Sequence, residues 1–199
     1  MPGIPVQEQY SVAIMGPAAV GKSCITLRYV LREFVNEYNN ALEDKFTKFD
    51  NIDGRMCKVE ILDTSGEDEF IPLRTLWIKA REGFLFVYSV DNRKTMEDLD
   101  HFHRLYLMTY PNKDVPLILV ANKIDLALKR EINTEEGMTL ATKYGAEYFE
   151  ISAKTGHNVD NAFACLIRKL RIKRETKKPA PNEKSPPEKT SFWDWCSLI

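Results

Sequence analysis

The eight residues Gly16–Ser23, GPAAVGKS, constrain this chain more than any other stretch. They match G-x-x-x-x-G-K-[ST] through Gly16, Gly21, Lys22 and Ser23. Such a match carries weight only between a strand and a helix. That context is present here. "YSVAIM" (10–15) is a short apolar run ending at a glycine, and "KSCITLRYVLREF" follows with Ile25, Tyr29 and Arg32 at helical spacing. In such a loop, backbone N–H groups and the positive end of the helix hold phosphate oxygens. Lys22 is placed to reach the β- and γ-phosphates, and the Ser23 hydroxyl to take a place on Mg²⁺. The loop alone does not separate ATP from GTP, or a kinase from a triphosphatase. A plain glycine turn before a helix has the same outline.

The rest of the chain alternates strands and helices. "FLFVYSV" (84–90) and "VPLILVA" (115–121) are nearly continuous apolar runs, suited to parallel strands buried on both faces. "EYFEIS" (147–152) reads as a last strand. The Asp-Gly of "NIDG", between two extended stretches, signals a hairpin. Helical spacing recurs near 94–109, 134–144 and 158–174, where Val159, Phe163, Leu166, Ile167 and Leu170 share one face. This pattern predicts one α/β domain, a mostly parallel sheet with helices on both sides.

Two further segments follow predicted strands, where open α/β sheets bind ligands. In "NKID" (122–125), Asp125 can accept hydrogen bonds from a purine N1–H and an exocyclic amine. Guanine offers both, whereas adenine has no N1–H. Lys123 can lay its stem over the base, and Asn122 can tie loops together. "SAK" (152–154) can address the base through its backbone from the other side. "DTSG" (63–66) ends the strand "VEIL"; Asp63 there can contact Mg²⁺ through a water, and Gly66 lets its N–H approach the γ-phosphate. Taken singly, "NKID" and "DTSG" are also ordinary turns.

Taken together and in this order, the segments resemble the Ras-type small GTPases, closest to the Ras and Rap branch, over residues 9–175. "GPAAVGKS", "FVNEYNNALEDKF", "DTSGEDEF", "NKID" and "ISAK" are similar to the family's phosphate loop, two switches and two base motifs. The resemblance implies a P-loop GTPase fold with a mixed, mostly parallel six-stranded sheet. It implies phosphate contacts from Ala18, Ala19, Val20, Gly21, Lys22, Ser23, Cys24 and Gly66. Guanine and ribose contacts fall to Phe34, Val35, Asn122, Lys123, Asp125, Leu126, Ser152, Ala153 and Lys154. Mg²⁺ falls to Ser23 and, through water, Asp63. Catalysis falls to Lys22, Gly66 and Glu67. Tyr38, Ala41, Glu43, Asp44 and Phe46 fall on the effector-facing edge, which in the family pairs with a partner's sheet. Exchange factors and a GTPase-activating protein are implied partners, with the chain itself a monomer.

Five positions depart from the family pattern. Ala18 and Ala19 stand where glycine is usual, Ala41 where a threonine binds Mg²⁺, Ser65 where alanine is usual, and Glu67 where a glutamine orients the attacking water. None removes Lys22, Ser23 or Asp63. Binding is expected to survive and hydrolysis to slow. The alternatives are a GTP-binding interaction module with negligible turnover, and a P-loop ATPase or kinase, which "NKID" disfavours.

Composition fits this reading. The chain has 199 residues, 44% hydrophobic and 29% charged, with a formal net charge of −1, so charge gives no reason to expect nucleic acid. Cys24, Cys57, Cys165 and Cys196 are scattered, with no disulfide or zinc framework. Cys24 is expected to pack near the nucleotide. His101 and His103, two apart on a helix, are expected at the surface and not as metal ligands. No signal peptide or membrane span is read. Residues 1–8 are expected to be a flexible lead and 176–199 a flexible, proline-rich tail. The tail closes on "CSLI", a C-a-a-X form with Cys196 as the prenylation site, its isoleucine tilting toward geranylgeranyl over farnesyl. The run 168–178 carries seven basic residues and one acidic, a second, electrostatic membrane signal. Trp193 and Trp195 suit a membrane interface. The expected location is the cytoplasmic face of a membrane, the plasma membrane first, and otherwise the cytosol.

Overall fold

The computed structural model describes residues 8–34, 43–64, 79, 81–112 and 115–177, with residues 43, 44 and 177 described by backbone alone. The strands are β1 Glu8–Met15, β2 Glu43–Ile52, β3 Arg55–Thr64, β4 Gly83–Ser89, β5 Leu117–Asn122 and β6 Glu147–Glu150. The helices are α1 Lys22–Leu31, α2 Arg93–Glu97, α3 Leu99–Thr109, α4 Thr134–Tyr144 and α5 Val159–Lys177. The sheet runs β2-β3-β1-β4-β5-β6. Only the β2–β3 pair is antiparallel; all other neighbours are parallel. This is the six-stranded, mostly parallel α/β sheet expected.

Local sequence explains the arrangement. β4 and β5 are buried throughout and apolar but for Ser89 and Asn122 at their carboxyl ends, so they take the interior of the sheet. Asp53 and Gly54 have φ 56° and 77°, the left-handed pair of a two-residue hairpin turn joining β2 to β3. Helix α4 opens with a capping box, Asn133 and Glu136 exchanging bonds, and closes on Gly145 at φ 68°. The region expected as one helix over 94–109 is two, α2 and α3, meeting at Asp98. Arg32, expected inside α1, is its C-cap at φ 64°.

Two cores flank the sheet. Helices α1 and α5 cover one face, where Tyr29 stacks on Phe163 with centroids 3.9 Å apart. Helices α3 and α4 cover the other. His103 lies in that second core, 7% exposed and stacked 3.8 Å from the Tyr144 ring, not at the surface as expected. Leu99, Phe102, His103 and Tyr106 are all buried, at i, i+3, i+4 and i+7 on one stripe of α3. That spacing was available in the sequence.

The basic run on α5 does not present all its cations to solvent. Arg168, Arg171 and Arg174 recur every three residues on the face packed against β1 and the hairpin. Arg171 is 3% exposed and donates to Glu8 at 2.7 Å and to the Ile52 carbonyl at 2.8 Å. Arg168 grips both oxygens of Asp53, and Arg174 pairs with Glu82 while lying 4.2 Å from the Tyr10 ring centroid. These arginines fasten the last helix to the sheet. No helix among the described residues is long and apolar enough to cross a membrane.

Candidate nucleotide site

The loop Gly16–Ser23 leaves β1 at its carboxyl end and enters α1. Gly16 has φ 151°, and a Cβ there would fall 2.2 Å from the Val87 carbonyl oxygen. Gly21 has φ 92°, and a Cβ would fall 2.5 Å from the Asn122 amide nitrogen. Both motif glycines are therefore fixed by close backbone approach. No side chain caps the start of α1, so its first N–H groups face the loop, an arrangement suited to an anion. Lys22 is 7% exposed and lies across the loop, donating to the carbonyls of Gly16 at 2.9 Å and Pro17 at 2.7 Å. Ala18 and Ala19 are exposed at the loop tip. Ala19 has φ 62°, a left-handed conformation that costs a residue bearing Cβ about 1 kcal/mol.

Beyond the loop lies a cavity of about 240 Å³ at the carboxyl ends of β5 and β6. Phe34 and Leu126 supply apolar wall, and Cys24 lines it from α1. Burial, then the charge of Asp63, pushes the Cys24 thiol up. Lys123, Asp125, Ala153 and Lys154 complete the lining. Asn122, 1% exposed, ties three segments: its amide donates to the Val20 carbonyl at 2.8 Å and its oxygen accepts from Ala153 N–H at 3.1 Å. The expected loop-tying asparagine is thus in place. Ser152 donates to Asp125 at 2.6 Å, turning the carboxylate on the rim, and accepts from Thr155 N–H at 3.1 Å. Lys123, at φ 67°, lies 3.7 Å from Asp91, whose carboxylate also accepts from the Ser89 hydroxyl.

Asp63 ends β3 beside Ile14 and is 5% exposed; Thr64 next to it donates to the Ile14 carbonyl at 2.9 Å. Ser23 sits half-buried in the first turn of α1. Among the described residues no three His, Cys, Asp or Glu side chains gather as a metal cage. A hydroxyl and a carboxylate are hard oxygen donors, a set that fits Mg²⁺ retaining waters and phosphate oxygens.

Several residues given a role above lie outside the described residues: Val35, Tyr38, Ala41, Ser65, Gly66, Glu67, Trp193, Trp195 and Cys196. Glu43 and Asp44 open the edge strand β2, paired in register with Thr64 and Asp63. Phe46 is half-buried against the α1–α5 core, so its ring faces inward, while Lys45 and Thr47 face out. Sequence reading missed Arg28, whose guanidinium donates to the Ala153 and Lys154 carbonyls at 2.8 and 2.5 Å, and Asp91 beside Lys123. A residue 125 positions from its partner leaves no local signal.

The Ras family model matches residues 11–172 of this chain. The Neurospora crassa protein ras-1 is 36% identical over 170 residues, which is 85% of this chain and 79% of that protein. By the family match over most of its length and by that identity, the chain belongs to the Ras family of small GTPases.

Proposed function

We propose that this chain binds GTP and GDP with Mg²⁺, hydrolyses GTP slowly, and engages effectors in its GTP state at a membrane. The observation that carries the guanine reading is Asp125. Its carboxylate lines the cavity and is oriented by Ser152, so it is ready to accept from N1–H and the 2-amino group. Lys22 is already laid across the loop and needs no refolding to meet phosphate oxygens. Ser23 and Asp63 would hold Mg²⁺, which supplies charge neutralisation at the phosphates.

The slow rate rests on residue identity. The Ala18 methyl crowds the space used by an activating partner's arginine. Glu67 brings a carboxylate toward a phosphate already rich in negative charge, without the amide donor of a glutamine. Ala41 has no oxygen to link the γ-phosphate to the first switch. If "CSLI" ends the chain in its cell, Cys196 takes a prenyl group, which intact-mass analysis of native protein tests directly.

The decisive experiment is release and chromatography of the nucleotide that co-purifies with the protein, followed by single-turnover hydrolysis. Guanine nucleotide with measurable, slow conversion is the expected result. Adenine nucleotide would overturn the base reading. Conversion no faster than free GTP, with or without cell extract, would leave a binding module and not an enzyme.

A further inference from the structure

Arg28 sits in the last turn of α1, and its guanidinium makes three hydrogen bonds, all to backbone carbonyls. Nε donates to Ala153 at 2.8 Å, Nη2 to Lys154 at 2.5 Å and Nη1 to Arg32 at 2.9 Å. The third of these closes the end of its own helix. The other two reach the loop after β6, and that loop wraps the arginine stem, since a Cβ on Gly156 would meet Arg28 Cδ at 3.6 Å.

The consequence follows from peptide planarity. A trans peptide points its N–H opposite to its C=O. The Ala153 carbonyl shares its plane with the Lys154 N–H, and the Lys154 carbonyl shares its plane with the Thr155 N–H. With both carbonyls turned to Arg28, both N–H groups turn away from it. Thr155 N–H meets Ser152 Oγ at 3.1 Å, and Ser152 in turn holds Asp125 at 2.6 Å. Ala153 and Lys154 line the cavity.

We propose that Arg28 is a positioning residue for base recognition: by gripping the Ala153 and Lys154 carbonyls it holds the Lys154 N–H as the donor for a purine 6-oxygen and steadies the Thr155–Ser152–Asp125 chain. The proposal rests on the guanine reading of the cavity. A charged donor makes stronger bonds to carbonyls than a neutral one. The rigid fork of arginine spans several acceptors at once, which the point charge of lysine does not.

The test compares release of ribose-labelled fluorescent GDP with release of the same label on a 2-aminopurine riboside diphosphate, which keeps N2 but lacks the 6-oxygen and, with it, the N1–H. It uses full-length wild type, Arg28→Met and Arg28→Lys. Arg28→Met is expected to speed GDP release about tenfold, the loss of roughly one charge-assisted bond, and to speed analogue release by less, since only the N2 contact of the Asp125 chain remains there. Arg28→Lys, which retains one donor, falls between. Should Arg28→Met fail to fold, the Arg28→Lys comparison decides alone. Equal acceleration of both nucleotides, or no acceleration of GDP, overturns the proposal while leaving the guanine reading standing. Wild-type release of the two ligands at one rate means that the 6-oxygen is not read, and sinks both.

Discussion

Ser152 donates its hydroxyl hydrogen to Asp125 at 2.6 Å, across 27 residues and between the ends of two adjacent parallel strands. An aspartate on a loop can turn in several directions; this one is aimed. Orientation of an acceptor pair before the ligand arrives lowers the ordering cost of binding. The same serine oxygen accepts from Thr155 N–H, so its own position is fixed by the loop.

Ser152→Ala should therefore weaken guanine nucleotide binding without removing any atom that touches the base. One lost bond to a carboxylate is worth about 1–2 kcal/mol, or roughly 5- to 30-fold in affinity. Titration of nucleotide-free protein with GDP measures it. An unchanged affinity would show that Asp125 is oriented without Ser152.

Ala19 offers a gain. At φ 62° its Cβ strains the loop, and glycine relieves this at the expense of more freedom in the unfolded chain. Ala19→Gly is expected to raise stability by up to about 1 kcal/mol, seen as a melting shift of about 2–4 °C for a domain of this size. A lower melting temperature would mean that the methyl packs usefully.

Arg171 tests the role of the last helix. The side chain is 3% exposed and serves Glu8, the Ile52 carbonyl and the Arg55 carbonyl. Arg171→Ala leaves Glu8 without its buried partner and should cost about 3–5 kcal/mol in denaturant unfolding. Lys169 sits on the same helix, paired with Glu147 at the surface at 2.9 Å, and Lys169→Ala should cost under about 1 kcal/mol. Similar losses at both positions would contradict the assignment of Arg171 as a structural clamp.

Asp100 gives a pH signature. Hydrogen bonds from Lys143 and then Tyr144 hold its carboxyl below the usual carboxylate range, with His103 as a further positive neighbour when protonated. A carboxylate whose folded pKa is depressed contributes stability above its unfolded pKa and loses it as pH falls through the folded value. Wild type should therefore lose stability below about pH 4 more steeply than Asp100→Asn. Thermal melts of the two proteins from neutral to acid pH read the difference. Parallel curves would show that the bonds to Asp100 carry no net linkage.

Much of this molecule could be read along the chain because the deciding interactions were local. The Asp53–Gly54 turn, the buried runs of β4 and β5 and the two motif glycines each depend on residues within a few positions. The Asn122–Asp125 segment was legible because it begins at the carboxyl end of an apolar strand. Arg28, Asp91 and Arg171 were not legible, because each earns its place from partners brought together only by the sheet. His103 was misplaced for a different reason. Its separation from His101 says nothing of burial, whereas its spacing from Leu99 and Tyr106 puts it on the buried stripe.

The hydrolytic step offers the last prediction. The described residues include a capless α1 terminus, Lys22 across the loop, and Asp63 beside Ile14 near the carboxyl end of β3. The departures concentrate on groups that act only as charge develops, so they should alter the rate far more than nucleotide affinity. Glu67→Gln replaces an ionised carboxylate with a neutral amide that can donate to the attacked phosphate region, and Ala18→Gly clears the methyl from the exposed loop tip. Together they should raise single-turnover hydrolysis by about tenfold or more, since one well-placed donor is worth that much in a transition state. GDP affinity should stay within a few-fold of wild type. If the double variant hydrolyses GTP no faster, the slow step lies elsewhere, and Ala41→Thr becomes the substitution to measure next.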